Sequence, residues 1–236
     1  DFGNVENSSV YTNRLVEDVY EMGSIVKPLT MAAGIDALVV TPTTTYYDNG
    51  FLVLNNRKIS NYDGKGRGNT DMQQVLSQSL NTGVAYIAGK LGNDRFSKYM
   101  KSFGLDKKTG VDLPLEAAPL VDNLNSPREI EIATASYGQG IAVSPIAITR
   151  ALAVLANGGK LVSPHVVSKI EYKNGLTSTI EPSSPVQVLK PETTEQVTRM
   201  LVRVVDEALL KGTIKLDHYS VAAKTGTAQI SDGKGY

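Results

Sequence analysis

Gly23-Ser24-Ile25-Val26-Lys27-Pro28 marks the start of a predicted helix and contains both a serine and a lysine. It opens an apolar run that continues to Leu38, and such a dense run predicts a largely buried helix. Pro28 falls in the first turn, where its missing N–H removes no helical hydrogen bond. Ser24 and Lys27 stand at positions i and i+3, so we expect their side chains to be neighbours on one face.

This pair has the composition of a nucleophile and its base. A serine hydroxyl is a poor nucleophile unless an adjacent group takes its proton. Neutral Lys27 would serve if burial and nearby cations lowered its pKa from about 10.4 to near 7, roughly 4–5 kcal/mol against the charged form. The free N–H groups at the helix start would favour the negative charge that develops during attack on a carbonyl. We therefore predict Ser24 as the nucleophile and Lys27 as its base.

Two further motifs follow in a characteristic order. Ser79-Leu80-Asn81 joins two predicted helices, and Lys224-Thr225-Gly226-Thr227 lies in a predicted strand of small residues, Val221 to Ile230. Taken singly, such motifs are most often capping residues, surface lysines or turns. Together, S-x-x-K, S-x-N and K-T-G are the set shared by β-lactamases and penicillin-binding proteins. The set predicts one site in which Ser79 relays a proton to a leaving amine and Asn81 orients Lys27 and the substrate amide.

The K-T-G segment would supply the substrate-binding parts. Small residues such as Gly226 allow an extended substrate to lie along the strand. Lys224, with the hydroxyls of Thr225 and Thr227, would hold a carboxylate, and Lys224 is also a cation that would lower the pKa of Lys27. The N–H groups of Ser24 and Thr227 are candidate oxyanion donors, each worth about 3–4 kcal/mol in the transition state.

A second K-T-G, Lys108-Thr109-Gly110, warns that the motif alone is weak. It lies in a polar segment, and we interpret it as a turn. The two histidines, His165 and His218, are interpreted as a strand-end residue and a loop residue.

The remaining pattern alternates helices with turns rich in glycine and asparagine. Residues 49–69 are expected to be a long irregular loop or hairpin region, and strands are expected near 161–172 and at the end of the chain. Asp94 is predicted to cap a helix ended by Gly104, Ser144-Pro145 to start another, and residues 192–210 to form one continuous helix. This order favours an α+β fold in one domain.

Composition excludes several classes of function. Lysine plus arginine equals aspartate plus glutamate, at 24 each, so no global charge favours nucleic acid. The absence of cysteine excludes disulfides and thiolate metal sites, and two histidines offer little for a metal centre. We expect neither cofactor nor metal. Residues 141–156 are interrupted by polar groups, so no membrane span is predicted and the chain is expected to be soluble.

The match to one family extends well beyond the motifs. Tyr20-Glu21-Met22-Gly23-Ser24-Ile25-Val26-Lys27-Pro28 resembles Y-E-P-G-S-T-F-K-P of class B penicillin-binding proteins. Ser136-Tyr137-Gly138-Gln139-Gly140 resembles their G-Y-G-Q-G, and Val221-Ala222-Ala223-Lys224-Thr225-Gly226-Thr227-Ala228-Gln229 their V-A-G-K-T-G-T-A-Q. Met22 replaces the usual proline and Ala223 a frequent glycine.

The resemblance implies an antiparallel sheet flanked by helices, with a cleft between this sheet and an all-helical lobe. It implies a peptidoglycan D,D-transpeptidase in which Ser24 attacks the penultimate D-Ala of a stem peptide, D-Ala leaves, and a neighbouring stem amine takes the acyl group. β-Lactams would acylate the same serine. Alternatives on the same fold are a β-lactam sensor, a serine β-lactamase and a D-Ala carboxypeptidase.

The family continues past K-T-G into two further strands and a terminal helix. We therefore expect residues 1–236 to be one transpeptidase domain, truncated after the K-T-G strand and incomplete at the C-terminus. The resemblance also implies that the parent protein acts on the extracytoplasmic face of the bacterial cell membrane, is membrane-anchored, and meets cell-wall synthesis proteins.

Overall fold

A computed structural model describes residues 11–228. The order of elements mixes helices and strands, as predicted for an α+β fold. The α-helices are α1 (Arg14–Glu17), α2 (Lys27–Asp36), α3 (Met72–Ser77), α4 (Asn81–Leu91), α5 (Asn93–Ser102), α6 (Glu129–Ala135), α7 (Pro145–Ala156) and α8 (Pro191–Arg203). The strands are β1 (Thr45–Asp48), β2 (Phe51–Leu54), β3 (Arg57–Ser60), β4 (Gly68–Asp71), β5 (Lys160–Leu161), β6 (Lys169–Glu171), β7 (Thr177–Thr179) and β8 (Val186–Gln187).

Helix α2 lies at the centre of the core. Every residue from Lys27 to Ile35 is buried, and α2 packs against α4, α8 and α5. A helix that is apolar all round is expected to be surrounded by other elements. Its start is a 3-10 turn, Gly23–Val26, and Pro28 lies in the first turn as predicted.

The strands pair antiparallel in four separate two-stranded sheets within residues 11–228: β1 with β4, β2 with β3, β5 with β8, and β6 with β7. The region expected to be a loop or hairpin is therefore two hairpin-like pairs. Strand β4 was not predicted, because its sequence is rich in asparagine and glycine. Its backbone pairs with β1 across residues 49–67.

The predicted strand at residues 221–230 is wrong for the part described, 221–228, which has no regular secondary structure. Gln229 and Ile230 lie outside the described residues. A strand is stabilised by a ladder of backbone hydrogen bonds to a neighbour. No backbone within residues 11–228 forms that ladder with this segment, which packs instead against the turn that carries Ser24.

Two helix boundaries also differ from the prediction. Asp94 does not cap α5, because the helix already begins at Asn93 with Gly92 as its N-cap. The predicted helix over residues 192–210 ends as an α-helix at Arg203 and continues as a π-turn, Val204–Ala208. The Ser144 cap of α7 is confirmed by its hydrogen bond from the Ala147 N–H. In the described part of the chain, no helix has the length and apolarity needed to cross a bilayer.

Candidate active site

Lys27 is fully buried although it carries an amine, with an exposed fraction of 0%. Its Nζ donates to the Ser79 carbonyl at 2.6 Å and to Ser79 Oγ at 3.1 Å. Burial, and secondly the charge of Lys224, lower the pKa of Lys27 to about 6. These are the two causes expected from the sequence, and they leave Lys27 largely neutral at pH 7.

Ser24 lies half-buried in the 3-10 turn that precedes α2. The Lys27 N–H donates to the Ser24 carbonyl, which closes the turn. Side chains at i and i+3 lie on one face in 3-10 geometry, which favours the predicted proximity of the hydroxyl and the amine. The Lys27 amine bonds to Ser79 rather than to Ser24, so this proximity stays a prediction. Within residues 11–228 Ser24 Oγ makes no hydrogen bond, so its proton is not committed to a structural contact.

Ser79 reaches the site because it occupies a strained backbone position at the end of α3. Its φ is +55°, the left-handed region that usually takes glycine. The Ser79 N–H bonds to the Leu76 carbonyl at 3.3 Å, and the Leu80 N–H bonds to the Val75 carbonyl at 2.9 Å. These two bonds form a Schellman motif with serine in place of glycine. Serine is therefore an unfavourable residue for this backbone conformation, and it stands where its hydroxyl accepts hydrogen bonds from two amines.

Replacing Ser79 is expected to separate strain from chemistry. Ser79→Gly and Ser79→Ala both remove the hydroxyl, but only alanine keeps a Cβ at positive φ. We expect Ser79→Gly to have the higher free energy of unfolding, by about 1 kcal/mol, in urea titrations. Equal stability of the two variants would contradict the strained position.

Asn81 begins α4, two residues after Ser79. Its Nδ2 donates to the Ser60 carbonyl at 2.8 Å. The predicted orientation of Lys27 by Asn81 is not present, since within residues 11–228 the Lys27 amine bonds to Ser79. Asn81 is therefore anchored on β3 rather than on the lysine.

Lys224 comes to the site from a position 145 residues away from Ser79. Its Nζ donates to Ser79 Oγ at 2.8 Å, and to the Thr225 carbonyl at 3.1 Å and Thr225 Oγ1 at 3.3 Å. Burial lowers the pKa of Lys224 to about 8. Ser79 Oγ thus accepts from Lys27 and Lys224 together, and its own proton remains available to donate. Thr225 and Thr227 are exposed beside it.

Gly23 joins three backbone segments next to Ser24. Its φ is +57°, and a Cβ there would overlap the Thr227 carbonyl. Its N–H donates to the Gly138 carbonyl at 3.0 Å, and a Cβ on Gly138 would overlap the backbone of Gly23. A Cβ on Gly226 would lie 2.9 Å from Ile25 Cγ2. The nucleophile turn is therefore held between residues 138 and 227 by contacts that only glycine permits.

The role of Gly138 was not visible as a site feature in the sequence. Its stretch, residues 136–140, entered only through the family resemblance, and no chemical group marks it. The available signal in the sequence was the number of glycines in residues 136–140. Glycine indicates close approach of two backbone segments, but it does not show that Gly23 is the residue approached.

Gly23→Ala is expected to lower the rate constant of acylation by at least about 100-fold and to lower the Tm, because the turn must move away from residues 138 and 227. Gly89→Ala is the matched control. A Cβ at Gly89, exposed on α4, meets open space, so this variant is expected to be as stable as the wild type or more so. Normal acylation of Gly23→Ala, measured with a fluorescent penicillin, would contradict the inference that Gly23 holds the nucleophile turn between residues 138 and 227.

The turn predicted for the second K-T-G is wrong, because residues 108–110 have no regular secondary structure. The N–H groups of Thr109 and Gly110 both donate to the carboxylate of Glu116, and the Thr109 carbonyl accepts from Arg150 at 3.2 Å. Its backbone groups are therefore already paired with protein atoms. His165 is exposed in a loop rather than at a strand end.

No three histidine, cysteine, aspartate or glutamate side chains within residues 11–228 converge to hold a metal ion. The groups that converge are instead the two amines of Lys27 and Lys224 and the hydroxyl of Ser79. Such a set suits proton transfer beside a serine nucleophile.

Comparison with known families identifies the chain. The penicillin binding protein transpeptidase domain matches residues 2–236. The protein belongs to this family, and the class B resemblance found in the sequence is confirmed.

Two relatives illustrate the match. The chain is 32% identical over 240 residues to stage V sporulation protein D of Bacillus subtilis, covering 99% of this chain and 37% of that protein. It is 30% identical over 241 residues to the peptidoglycan D,D-transpeptidase MrdA of Acinetobacter baumannii, covering 95% of this chain and 35% of that protein. The chain thus spans about a third of the length of these curated relatives.

Solved structures share the fold. Penicillin-binding protein 3 of Mycobacterium tuberculosis superposes with a TM-score of 0.86 at 26% identity, over 94% of this chain and 52% of that one. The transpeptidase domain of Burkholderia pseudomallei penicillin-binding protein 3 gives a TM-score of 0.81 at 30% identity, over 96% and 66%. The mycobacterial protein has also been solved in complexes with aztreonam and ampicillin.

Proposed function

We propose that this protein is a peptidoglycan D,D-transpeptidase that forms cross-links by serine acyl transfer and is acylated by β-lactams at Ser24. The observation that carries the proposal is the fully buried Lys27 amine, whose pKa is about 6. This amine donates a hydrogen bond to Ser79 Oγ, which also accepts one from the Lys224 amine. The names of relatives such as MrdA support the same reaction.

Acylation begins with the donor stem peptide extended along residues 224–228. Its terminal carboxylate is held by Lys224 and the hydroxyls of Thr225 and Thr227, because a cation and two hydroxyls match a carboxylate. Neutral Lys27 takes the proton of Ser24 as Oγ attacks the penultimate D-Ala carbonyl. The N–H groups of Ser24 and Thr227 stabilise the oxyanion.

Collapse of the tetrahedral intermediate requires a proton on the leaving nitrogen. Ser79 Oγ accepts from the Lys27 amine at 3.1 Å, so it can donate its own proton to the leaving D-Ala amine and take one from Lys27. The C–N bond breaks and D-Ala departs with the proton of Ser79, which Lys27 replaces with the proton that it took from Ser24. An ester remains on Ser24. Attack by an acceptor amine reverses the proton path, restores the hydroxyl of Ser24 and leaves a new amide. Asn81, anchored on Ser60, is the group proposed to hold the donor amide.

Location and partners follow from this reaction. Stem peptides lie outside the cytoplasm, so we propose action on the extracytoplasmic face of the bacterial cell membrane, in an anchored parent protein that works with other cell-wall synthesis proteins. A β-lactam sensor, a β-lactamase or a D-Ala carboxypeptidase would use the same Ser24 and Lys27. In a β-lactamase or a carboxypeptidase water attacks the ester, whereas a sensor keeps the β-lactam adduct and transfers no peptide.

The test is the fate of the acyl group. The protein is incubated with a D-Ala-D-Ala pentapeptide and a labelled D-amino acid as acceptor. Exchange of the label into the peptide, absent in Ser24→Ala, is the expected result. Hydrolysis to the tetrapeptide without exchange would indicate a carboxypeptidase. With penicillin, rapid turnover would indicate a lactamase, and a stable adduct without any peptide exchange would indicate a sensor.

A further inference from the structure

A buried polar network lies at the start of α4, beside Ser79 and Asn81. Its centre is Asp48 at the end of β1, with an exposed fraction of 1%. Asp48 Oδ1 accepts from the Gly50 N–H at 2.9 Å and from the Thr82 hydroxyl at 2.8 Å. Its Oδ2 accepts from the Arg67 N–H at 3.1 Å, and Asn61 Nδ2 donates to both oxygens, at 3.2 Å and 2.9 Å.

No lysine or arginine side chain within residues 11–228 forms an ion pair with this carboxylate. A buried charge that forms no direct ion pair requires hydrogen bonds to be stable. Asp48 has them from four separate segments: the turn after β1, the end of β3, the residue before β4, and α4. The positive end of the α4 dipole adds to their effect. Displacing any of these segments therefore leaves a buried charge less well paired.

Asn61 links the network to the helix. Leu80 stands at the N-cap of α4 and has no side-chain acceptor, so the cap is supplied from elsewhere. Asn61 Oδ1 accepts from the Thr82 N–H at 3.3 Å. Since the Thr82 hydroxyl donates toward Asp48 Oδ1 and Asn61 Oδ1, the Tyr46 hydroxyl is the donor in its 3.1 Å contact with Thr82 Oγ1.

The same strand end also holds the neighbouring residue. Asn81 Nδ2 donates to the carbonyl of Ser60, which directly precedes Asn61. A Cβ on Gly83 would overlap the side chain of Val75, so α4 has no space to move toward α3. The start of α4 is thus fixed by contacts to β3 and to α3, two residues after Ser79.

We infer that Asp48, Asn61 and Thr82 are positioning residues for acyl transfer, which hold Asn81 and Ser79 in register with Lys27. This inference rests on the proposed function. None of the three touches the reacting atoms in the proposed mechanism. They act by fixing the helix start that carries Asn81 and the turn that presents the Ser79 hydroxyl to the two amines.

Thr82→Val tests the inference, with Thr193→Val as the matched control. Both threonines are 4% or less exposed, and both hydroxyls donate to an aspartate, Thr193 to Asp36 Oδ1 at 3.0 Å. Each variant is expected to lower the Tm. Only Thr82→Val is expected to lower the limiting acylation rate by benzylpenicillin, about tenfold, with the half-saturating concentration within about twofold of wild type. Thr82→Ser, which keeps the hydroxyl, is expected to restore the rate to within about twofold.

The outcomes separate this inference from the proposed function. A wild-type protein that is not acylated overturns both. Acylation of Thr82→Val at the rate of Thr193→Val, or a Thr82→Ser no faster than Thr82→Val, overturns the positioning role alone. If Thr82→Val does not fold, Tyr46→Phe removes only the donor to Thr82 and keeps the ring that stacks on Tyr86. A loss of about threefold is then expected, and an unchanged rate overturns the inference.

Discussion

Ser24→Ala is expected to form no covalent adduct with benzylpenicillin, whereas the wild type gains the mass of one penicillin per chain. The hydroxyl is the only group in the proposed reaction that forms a bond to the substrate, so its loss removes the acyl-enzyme entirely. Intact-protein mass spectrometry measures the adduct directly. Ser102→Ala serves as the control. Ser102 lies on α5, and its hydroxyl donates to the Tyr99 carbonyl rather than taking part in the hydrogen bonds of Lys27 and Lys224.

An adduct of equal yield on Ser24→Ala would remove Ser24 from its proposed role. Loss of the adduct from Ser102→Ala as well would show that the assay reports folding rather than chemistry. Circular dichroism of each variant keeps these two outcomes apart.

Lys27→Met is expected to slow acylation by about 10³-fold while the fold is retained, which is within the range for loss of a general base. Methionine fills the buried volume of the stem but offers no lone pair to the Ser24 proton. Lys98→Met, at an exposed lysine of α5, is expected to acylate like the wild type. A Lys27→Met variant within tenfold of the wild-type rate would contradict the base assignment.

Lys27→Met slows acylation but is expected to stabilise the fold relative to the wild type as the pH falls. The pKa of Lys27 is about 6 in the fold and near 10.4 in an unfolded chain, so between these values the unfolded state binds one more proton. Stability contributed through Lys27 therefore rises with pH across this window, by at most about 1.4 kcal/mol per unit. Relative to wild type, Lys27→Met is expected to gain stability as the pH falls from 9 to 6. A constant difference in unfolding free energy across that range would show that Lys27 is not held neutral.

Sequence reasoning identified the chemistry because the reacting groups are short motifs with fixed spacing. Ser24 and Lys27 are one turn apart, so local helix geometry alone makes them neighbours. The lowered pKa of Lys27 also followed, because a lysine inside an apolar helix must be buried. The convergence of Lys224 on Ser79 was inferred from the family set of motifs, since no local pattern joins residues 145 positions apart.

Other features depended on tertiary contacts that leave no periodic signal. The Asp48–Asn61–Thr82 network is built from residues that, taken singly, are typical of turns and helix starts. The positive φ of Ser79 is unfavourable for serine, so propensity predicts against it. The segment at 221–228 has the small, β-compatible composition of a strand, but a strand also requires a pairing neighbour, which composition does not specify.

The rate constant of acylation measured as a function of pH tests whether Lys27 is a neutral base, because it reports the protonation state of this amine in the working protein. The rate is expected to rise with pH to half its plateau near pH 6, as the Lys27 amine loses its proton, and to fall again above about pH 8, as Lys224 loses its charge. A rate that keeps rising toward pH 10, as for an ordinary lysine, would contradict a base held neutral by burial and by Lys224.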